Sequence, residues 1–237
     1  MAVLVEVLAR VFLPASCALC GRPLPVKASR GGVCGRCWDS IVPVGHEACA
    51  RCGEATGGGE ECLSCRHDPP PWQAAASAGW YEGPLRELIL LFKHGRRDEL
   101  ASPLAKLLQR RLDQLPWPSP DAVVPVPAWW GRRLRRGFDH ADLLARHLAS
   151  LASSRCCAAL RRRRRGTQAG RTRAERLALP RGTFFARRAV HGHVLLVDDV
   201  LTTGATARAC TRALLAAGAS AVWLLTVART PRPGRIP

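Results

Sequence analysis

The sequence predicts an α/β fold, an open and mainly parallel sheet with flanking helices, preceded by a small module of the four-cysteine type. Three observations carry this. Apolar strand-like runs alternate with helical patterns beyond residue 70; a buried strand near the C-terminal end leads through a hydroxyl and glycine loop into a helix; and eight of the eleven cysteines form four CxxC pairs ahead of both. At roughly 100–200 residues per domain, 237 residues suit one domain plus a small module. With 47% apolar residues a packed core is available, which excludes general disorder.

The elements follow in order. In residues 1–14, Val3, Val7, Leu8 and Val11 keep helical spacing, so a short amphipathic helix is expected. This stretch carries Glu6 and Arg10, lacks a basic leader and stops at Pro14, too short to span a bilayer or to read as a secretory signal. Residues 15–70 hold all the paired cysteines, many glycines and little apolar periodicity, the mark of a module without much core. Asp68-Pro69-Pro70-Pro71 reads as a stiff linker, and residues 71–237 as the α/β domain. Within it, Ala74–Tyr81 is a strand; Pro84 opens a helix through Leu85, Leu88, Ile89 and Phe92 that ends at Gly95. A second helix covers Asp98–Leu115, and Ala122–Val126 is a short strand. Leu143, Leu144, His147, Leu148 and Leu151 mark a helix over Asp139–Leu151. Residues 155–183, rich in arginine, read as a mobile loop. A buried strand Val194–Val197, a helix Ala205–Ala217 ended by Gly218 and a strand Ala221–Ala228 close the chain.

The cysteine pairs are Cys17/Cys20, Cys34/Cys37, Cys49/Cys52 and Cys62/Cys65. A CxxC turn presents two sulfurs on one side of a knuckle, and two knuckles close a tetrahedral zinc site. Thirteen residues separate the first two knuckles and nine the last two, so pairing in sequence order gives two structural zinc sites, and interleaved pairing is the alternative. Gly21 and Gly53 follow two knuckles where backbone amides must turn toward sulfur. Cys156, Cys157 and Cys210 have no spaced partner and read as ordinary thiols. Regular spacing without a secretory signal implies reduced thiols and a cytoplasmic protein.

The stretch from Val194 through Asp198, Asp199, Thr202, Thr203, Gly204 and Ala205 to Thr206 is a strand, two carboxylates, then a loop entering a helix. Amides of Thr203 to Thr206 at a helix N-terminus can face a phosphate, with threonine hydroxyls adding donors. Gly204 permits close approach. Carboxylates at the end of a parallel strand, where open α/β sheets bind ligands, accept hydrogen bonds from vicinal sugar hydroxyls.

This segment resembles the 5-phosphoribosyl 1-pyrophosphate (PRPP) motif of type I phosphoribosyltransferases. Together with the cysteine module it resembles the ComF family, which joins an N-terminal double zinc ribbon to a phosphoribosyltransferase-like domain and is linked to DNA uptake and natural competence. The similarity covers nearly the whole chain. Leu91-Phe92-Lys93-His94-Gly95 resembles the family's FKYxG segment, with His94 in place of the aromatic. Val124-Pro125-Val126-Pro127 with Arg132 and Arg136-Gly137-Phe138-Asp139-His140 resembles its VPVP…RGFNQ segment, and Gln168, Arg176 and Phe184 its Q…R…F stretch. The resemblance implies that Asp198 and Asp199 hold the ribose hydroxyls and, through them, Mg2+, and are the catalytic candidates. It places the 5-phosphate on Thr202, Thr203, Gly204, Ala205 and Thr206. Val124, Pro125, Val126 and Pro127 face pyrophosphate, with Arg132 and Arg136 to neutralise it. Arg161 to Arg165 belong either to a loop that closes over the site or to a solvated, self-repelling one.

The formal charge is +18, and residues 1–70, with seven basic and seven acidic side chains, contribute none of it. Residues 129–188 carry 17 basic and three acidic side chains, next to the pyrophosphate segment. Only Lys27, Lys93 and Lys106 are lysines; the other 33 cations are arginines, a skew that GC-rich coding explains as well as a phosphate-bearing partner does. Trp129, Trp130 and Phe138 among Arg132, Arg133, Arg135 and Arg136 suit stacking of single-stranded DNA, or equally buried packing. Three functions therefore compete: a ComF-like PRPP-binding protein that handles single-stranded DNA with competence proteins, a phosphoribosyltransferase of unknown acceptor, and a non-catalytic PRPP-responsive regulator. The 31 residues after Thr206 leave no room for a C-terminal hood over an acceptor.

Overall fold

The computed structural model describes residues 16–24, 32–45, 47–56, 61–95, 97–128, 139–163 and 182–231. The N-terminal helix expected over 1–14, the aromatic and arginine cluster from Trp129 to Phe138 with Arg132 and Arg136, Arg164 and Arg165, and Gln168 and Arg176 lie outside these residues.

Helices α1 (Gly35–Asp39) and α2 (Leu63–His67) are single turns in the cysteine-rich region. Then come β1 (Ala75–Trp80), α3 (Gly83–His94), a 3-10 turn at Asp98–Leu100, α4 (Ala101–Leu112), β2 (Ala122–Pro125), α5 (His140–Leu151), β3 (Arg155–Cys156), β4 (Leu160–Arg162), β5 (Phe184–Ala186), β6 (Gly192–Leu201), α6 (Ala205–Ala216) and β7 (Ala219–Arg229). Five strands form one sheet in the order β1-β7-β6-β2-β3, every pair parallel. An open parallel sheet with flanking helices is thus the observed architecture, with the cysteine module before it.

Alternation along the strands sends side chains to two cores. Val123, Leu195, Val197, Leu225 and Val227 meet α3, α4 and α5 on one face. Val124, Val194, Leu196, Val222 and Leu224 meet α6 and the β4–β5 hairpin on the other. Phe92, Leu88, Leu104, Leu108, Leu144 and Leu148 are fully buried, and each such side chain stabilises by roughly 1.5–3 kcal/mol.

Three differences from the expected elements have local causes. The helix expected over Asp98–Leu115 starts with a 3-10 turn and ends at Leu112. Pro103 is tolerated because it lies in the first turn of α4, where its missing N–H has no intrahelical acceptor. On α5 the buried face runs through Ala141, Leu144, Ala145, Leu148 and Ala149; His147 and Leu151, expected to face inward, are exposed. Small alanines let the helix lie close to the sheet, so the burying face is less apolar by count than the sequence suggests. Within 155–183, read as a mobile loop, the described residues include β3 and β4, and β4 pairs with β5 just past the end of that segment. Arg161 and Arg162 pair antiparallel with Phe185 and Phe184, and Arg162 covers the Phe184 ring at 5.5 Å. These two arginines therefore belong to a hairpin on the α6 face.

The cysteine module is built into this fold. Cys17, Leu24, Val33 and Trp38 join the α3–α5 core. The Trp80 amide donates to Val42 O at 3.0 Å and the Ala75 amide to Ala50 O at 3.3 Å, so the module covers the exposed edge of β1. Gly79 allows this approach: a Cβ there would meet Leu85 Cδ2 at 2.7 Å and Val42 O at 2.8 Å. The Asp68–Pro71 segment is clamped by two arginines. Arg208 donates to Asp68 O and Pro69 O, and Arg51 to Pro70 O and Gln73 O.

Candidate metal centres and ligand site

The eight paired cysteines gather in sequence order into two clusters, Cys17, Cys20, Cys34, Cys37 and Cys49, Cys52, Cys62, Cys65, whose sulfurs lie within 4.8 Å of one another. A tetrahedron of Zn–S bonds of about 2.3 Å has edges of about 3.8 Å. Cys17 and Cys37 sulfurs stand 3.8 Å apart, Cys20 and Cys34 3.7 Å, and Cys52 and Cys62 3.7 Å. These are tetrahedron edges, far above a disulfide bond of about 2.0 Å. Knuckle amides turn to sulfur as such sites require: Cys34 N–H donates to Cys17 Sγ and Cys62 N–H to Cys49 Sγ. Gly21 and Gly53 sit at φ +70 and +69, the left-handed turn that follows each knuckle. Four crowded thiols cannot all ionise without a cation. Burial and the neighbouring cysteines push Cys37 and Cys65 far up; in Cys17, burial is outweighed by the amides of Cys20 and Cys34, which lower it to about 6. The donor set fits two structural zinc sites. Cys156, Cys157 and Cys210 join neither cluster; burial, then the Asp198 charge, raises the Cys210 thiol.

The second constellation lies where the sheet's connections diverge. From β2 the chain runs through α5 to β3, toward one edge; from the neighbouring β6 it runs through α6 to β7, toward the other. Ligands of open α/β sheets bind at the carboxyl ends of strands at such a switch point. Here the end of β6 carries Asp198, Asp199 and the loop to α6, and the end of β2 carries Val124 to Pro127.

β6 is longer than expected. Parallel pairing with β7 continues past Val197 to Leu201, so Asp198 and Asp199 are strand residues, Asp198 opposite Thr226. Alternation then points the two carboxylates to opposite sides. The Asp199 amide donates to Asp198 Oδ1 at 2.8 Å, and Lys93 Nζ pairs with Asp199 Oδ1 at 2.7 Å. Burial, then the Asp199 charge, raises the Asp198 carboxyl well above the usual range, with Asp139 adding and Lys93 opposing. Asp139, the residue before α5, is also raised by burial; its Oδ2 accepts the Ala128 amide at 3.2 Å and its Oδ1 has no partner among the described residues.

Beyond β6, Gly204 caps α6 at φ +78. The amides of Thr203, Gly204 and Thr206 donate to no other described residue, and Thr202, Thr203, Gly204 and Thr206 line a small cavity with Asp198. Trp72 packs against the loop, 3.3 Å from where a Gly204 Cβ would stand, and Arg208 lies over its ring. On the β2 side Val124 and Pro125 are buried strand residues; the Val126 amide donates to Val197 O at 2.9 Å, fixing the segment beside β6.

Lys93 and Asp139 were not singled out for this site by sequence reasoning. A signal for Lys93 existed: it is one of three lysines against 33 arginines and falls in the LFKHG segment. No local pattern marked Trp72, Glu54 or Arg229, which reach the loop across the fold.

A double zinc ribbon family model matches residues 8–66. The chain is 34% identical over 228 residues to the DNA utilization protein YhgH of Escherichia coli K12, covering 92% of this chain and 98% of that protein. It is 30% identical over 219 residues to competence protein F of Haemophilus influenzae, covering 85% and 92%. Among solved structures it is similar to glutamine PRPP amidotransferase from B. subtilis, complexed with ADP and GMP, at 24% identity and a TM-score of 0.41 over 58% of this chain and 30% of that one. Among the described residues no helix is long and apolar enough to cross a membrane.

Proposed function

The chain belongs to the ComF family, and from that premise we propose that it binds PRPP or a related 5-phosphoribosyl ligand at the β2/β6 switch point. In this reading it is a cytoplasmic protein that serves DNA uptake and natural competence and handles single-stranded DNA. One observation carries the ligand assignment: the carboxylate pair Asp198 and Asp199 opens directly into a loop whose amides at Thr203, Gly204 and Thr206 have no other described acceptor.

The residues divide the ligand by chemistry. Thr202 to Thr206 take the 5-phosphate, with the positive end of α6 behind them. Asp198 and Asp199 accept the ribose hydroxyls, and Lys93 orients Asp199. The Val124–Pro127 segment faces pyrophosphate, with Arg132 and Arg136 following it in sequence. The carboxylates of Asp198, Asp199 and Asp139 offer the hard oxygen donors that a hydrated Mg2+ takes while keeping its waters, and the cation would favour the ionised form of Asp198 and Asp139, which burial raises. When bound with PRPP that ion supplies charge neutralisation at the leaving pyrophosphate.

Calorimetry with Mg2+ and PRPP tests the assignment: Asp198→Ala with Asp199→Ala abolishes binding while the circular dichroism of the fold is kept, and unchanged affinity sinks it. Pyrophosphate release from PRPP with ammonia or free bases separates a transferase from a ligand-responsive regulator. Single-stranded DNA binding, measured with and without PRPP over a salt series, tests the DNA role; affinity that falls steeply with salt is expected of phosphate contacts by arginine.

A further inference from the structure

We infer that Glu54, just past the Cys49/Cys52 knuckle of the zinc module, and Arg229, at the end of β7, are positioning residues that aim the phosphate loop, coupling the second four-cysteine site to the ligand site. The inference rests on the reading of the Thr202–Thr206 loop as a 5-phosphate cradle.

Arg229 is 4% exposed and Glu54 1%. Arg229 Nη2 donates to Glu54 Oε2 at 2.6 Å, while Nη1 donates to Leu201 O at 3.2 Å and to Thr202 O. The guanidinium thus bridges the zinc module and the first residues of the loop, two elements that share no strand. Its planar fork suits this better than a point charge, because the donors leave in fixed directions.

The consequence for the loop follows from the peptide bond. In a trans peptide C=O and N–H point opposite ways. Holding the Thr202 carbonyl on Arg229 turns the Thr203 amide away from Arg229, and holding the Leu201 carbonyl does the same for the Thr202 amide. The Leu201 carbonyl is held twice, since the Thr230 amide also donates to it at 3.0 Å. Arg229 therefore decides which side of the loop shows donors.

Glu54 sets Arg229, and the Cys49/Cys52 knuckle sets Glu54. The Cys49 amide donates to Glu54 O at 2.7 Å, and the Gly53 amide to Cys49 O at 2.7 Å, so the Glu54 backbone is part of the knuckle that carries two of the four sulfurs. A buried cation without its carboxylate is strongly disfavoured, so the pair holds its geometry or the loop loses its anchor.

The test uses the full zinc-loaded chain and two variants, Glu54→Gln and Arg229→Lys, each checked for two zinc equivalents and a cooperative melt. Ribose 5-phosphate, PRPP and inorganic pyrophosphate are titrated by calorimetry, and hydrogen exchange is followed in peptides spanning 200–206. Both variants are expected to bind ribose 5-phosphate about tenfold or more weakly, the worth of a hydrogen bond to a charged group, and pyrophosphate unchanged. Exchange in 200–206 rises in both. A general loss of structure would weaken both ligands equally and lower the zinc content. Unchanged exchange in 200–206 in both variants, or equal losses for the two ligands, overturns the positioning role. Failure of the unaltered protein to bind ribose 5-phosphate or PRPP overturns the ligand reading instead, and the exchange data still decide whether Glu54 and Arg229 order the loop.

Discussion

Gly204→Ala puts a number on how tightly the Thr202–Thr206 loop is built. Gly204 has φ +78, and an added Cβ would stand 3.3 Å from Trp72 Cη2 and 3.8 Å from Leu201 Cδ1. Two effects oppose each other. Alanine reduces the freedom of the unfolded chain, worth about 0.4–1 kcal/mol in favour of the variant. The left-handed conformation costs an L-residue roughly 1–2 kcal/mol, so the backbone balance is a loss of about 1 kcal/mol. Contact with Trp72 adds to this, because the indole cannot yield easily: its Nε1 donates to Arg51 O, and Arg208 lies over its ring at 5.8 Å. The expected total is about 1–2 kcal/mol, a fall in Tm of about 2–4 °C for each kcal/mol at this chain length. Gly182 is the control. It has φ +75 and nothing within 4 Å of an added Cβ, so Gly182→Ala carries the backbone cost alone. Thermal and urea unfolding of both variants, with ribose 5-phosphate titrations, isolate the Trp72 contact. The reasoning is refuted if Gly204→Ala melts no lower than Gly182→Ala and binds ribose 5-phosphate as the unaltered protein does.

Elemental analysis is expected to return two zinc ions per chain, and chelation to remove them in two phases. The first cluster includes the exposed Cys20, whereas all four sulfurs of the second are buried, so a single-phase release would contradict the burial difference. Asp198→Asn is expected to raise the stability of the ligand-free protein at pH 7–8 and to flatten its pH dependence. Burial and the Asp199 charge raise the Asp198 carboxyl in the folded state. Between the unfolded value and that raised value the folded state holds the extra proton, so stability falls as pH rises through this window. Urea melts from pH 4 to 8 check it, and an equally steep pH dependence in the variant would refute it.

The legible parts of this molecule share a short range. A CxxC turn spans four residues, and the spacing of 13 and 9 between knuckles was enough to anticipate two four-sulfur sites; the fold then settled the pairing in sequence order. The strand–loop–helix run from Val194 to Thr206 was legible for the same reason, because an apolar strand, a left-handed glycine and a helix start are local choices. Its extent was not: β6 runs on to Leu201 because β7 pairs with it past Asp198, and pairing partners are invisible in a local window. On α5 the alanines that pack against the sheet carried too little hydrophobic signal to outweigh Leu151.

By itself the sequence determined the class of fold, the zinc ligands and the segment proposed to offer carboxylates and amides to a phosphorylated sugar, because each is written in residues a few positions apart. Only the tertiary structure decided that β2 and β6 are neighbours whose connections diverge, so that their carboxyl ends lie side by side. It alone brought Lys93 to Asp199 and laid the cysteine module along the edge of β1. Glu54 and Arg229 meet 175 positions apart. A buried charge needs an opposite charge within hydrogen-bond reach, and which residue supplies it depends on how the chain packs.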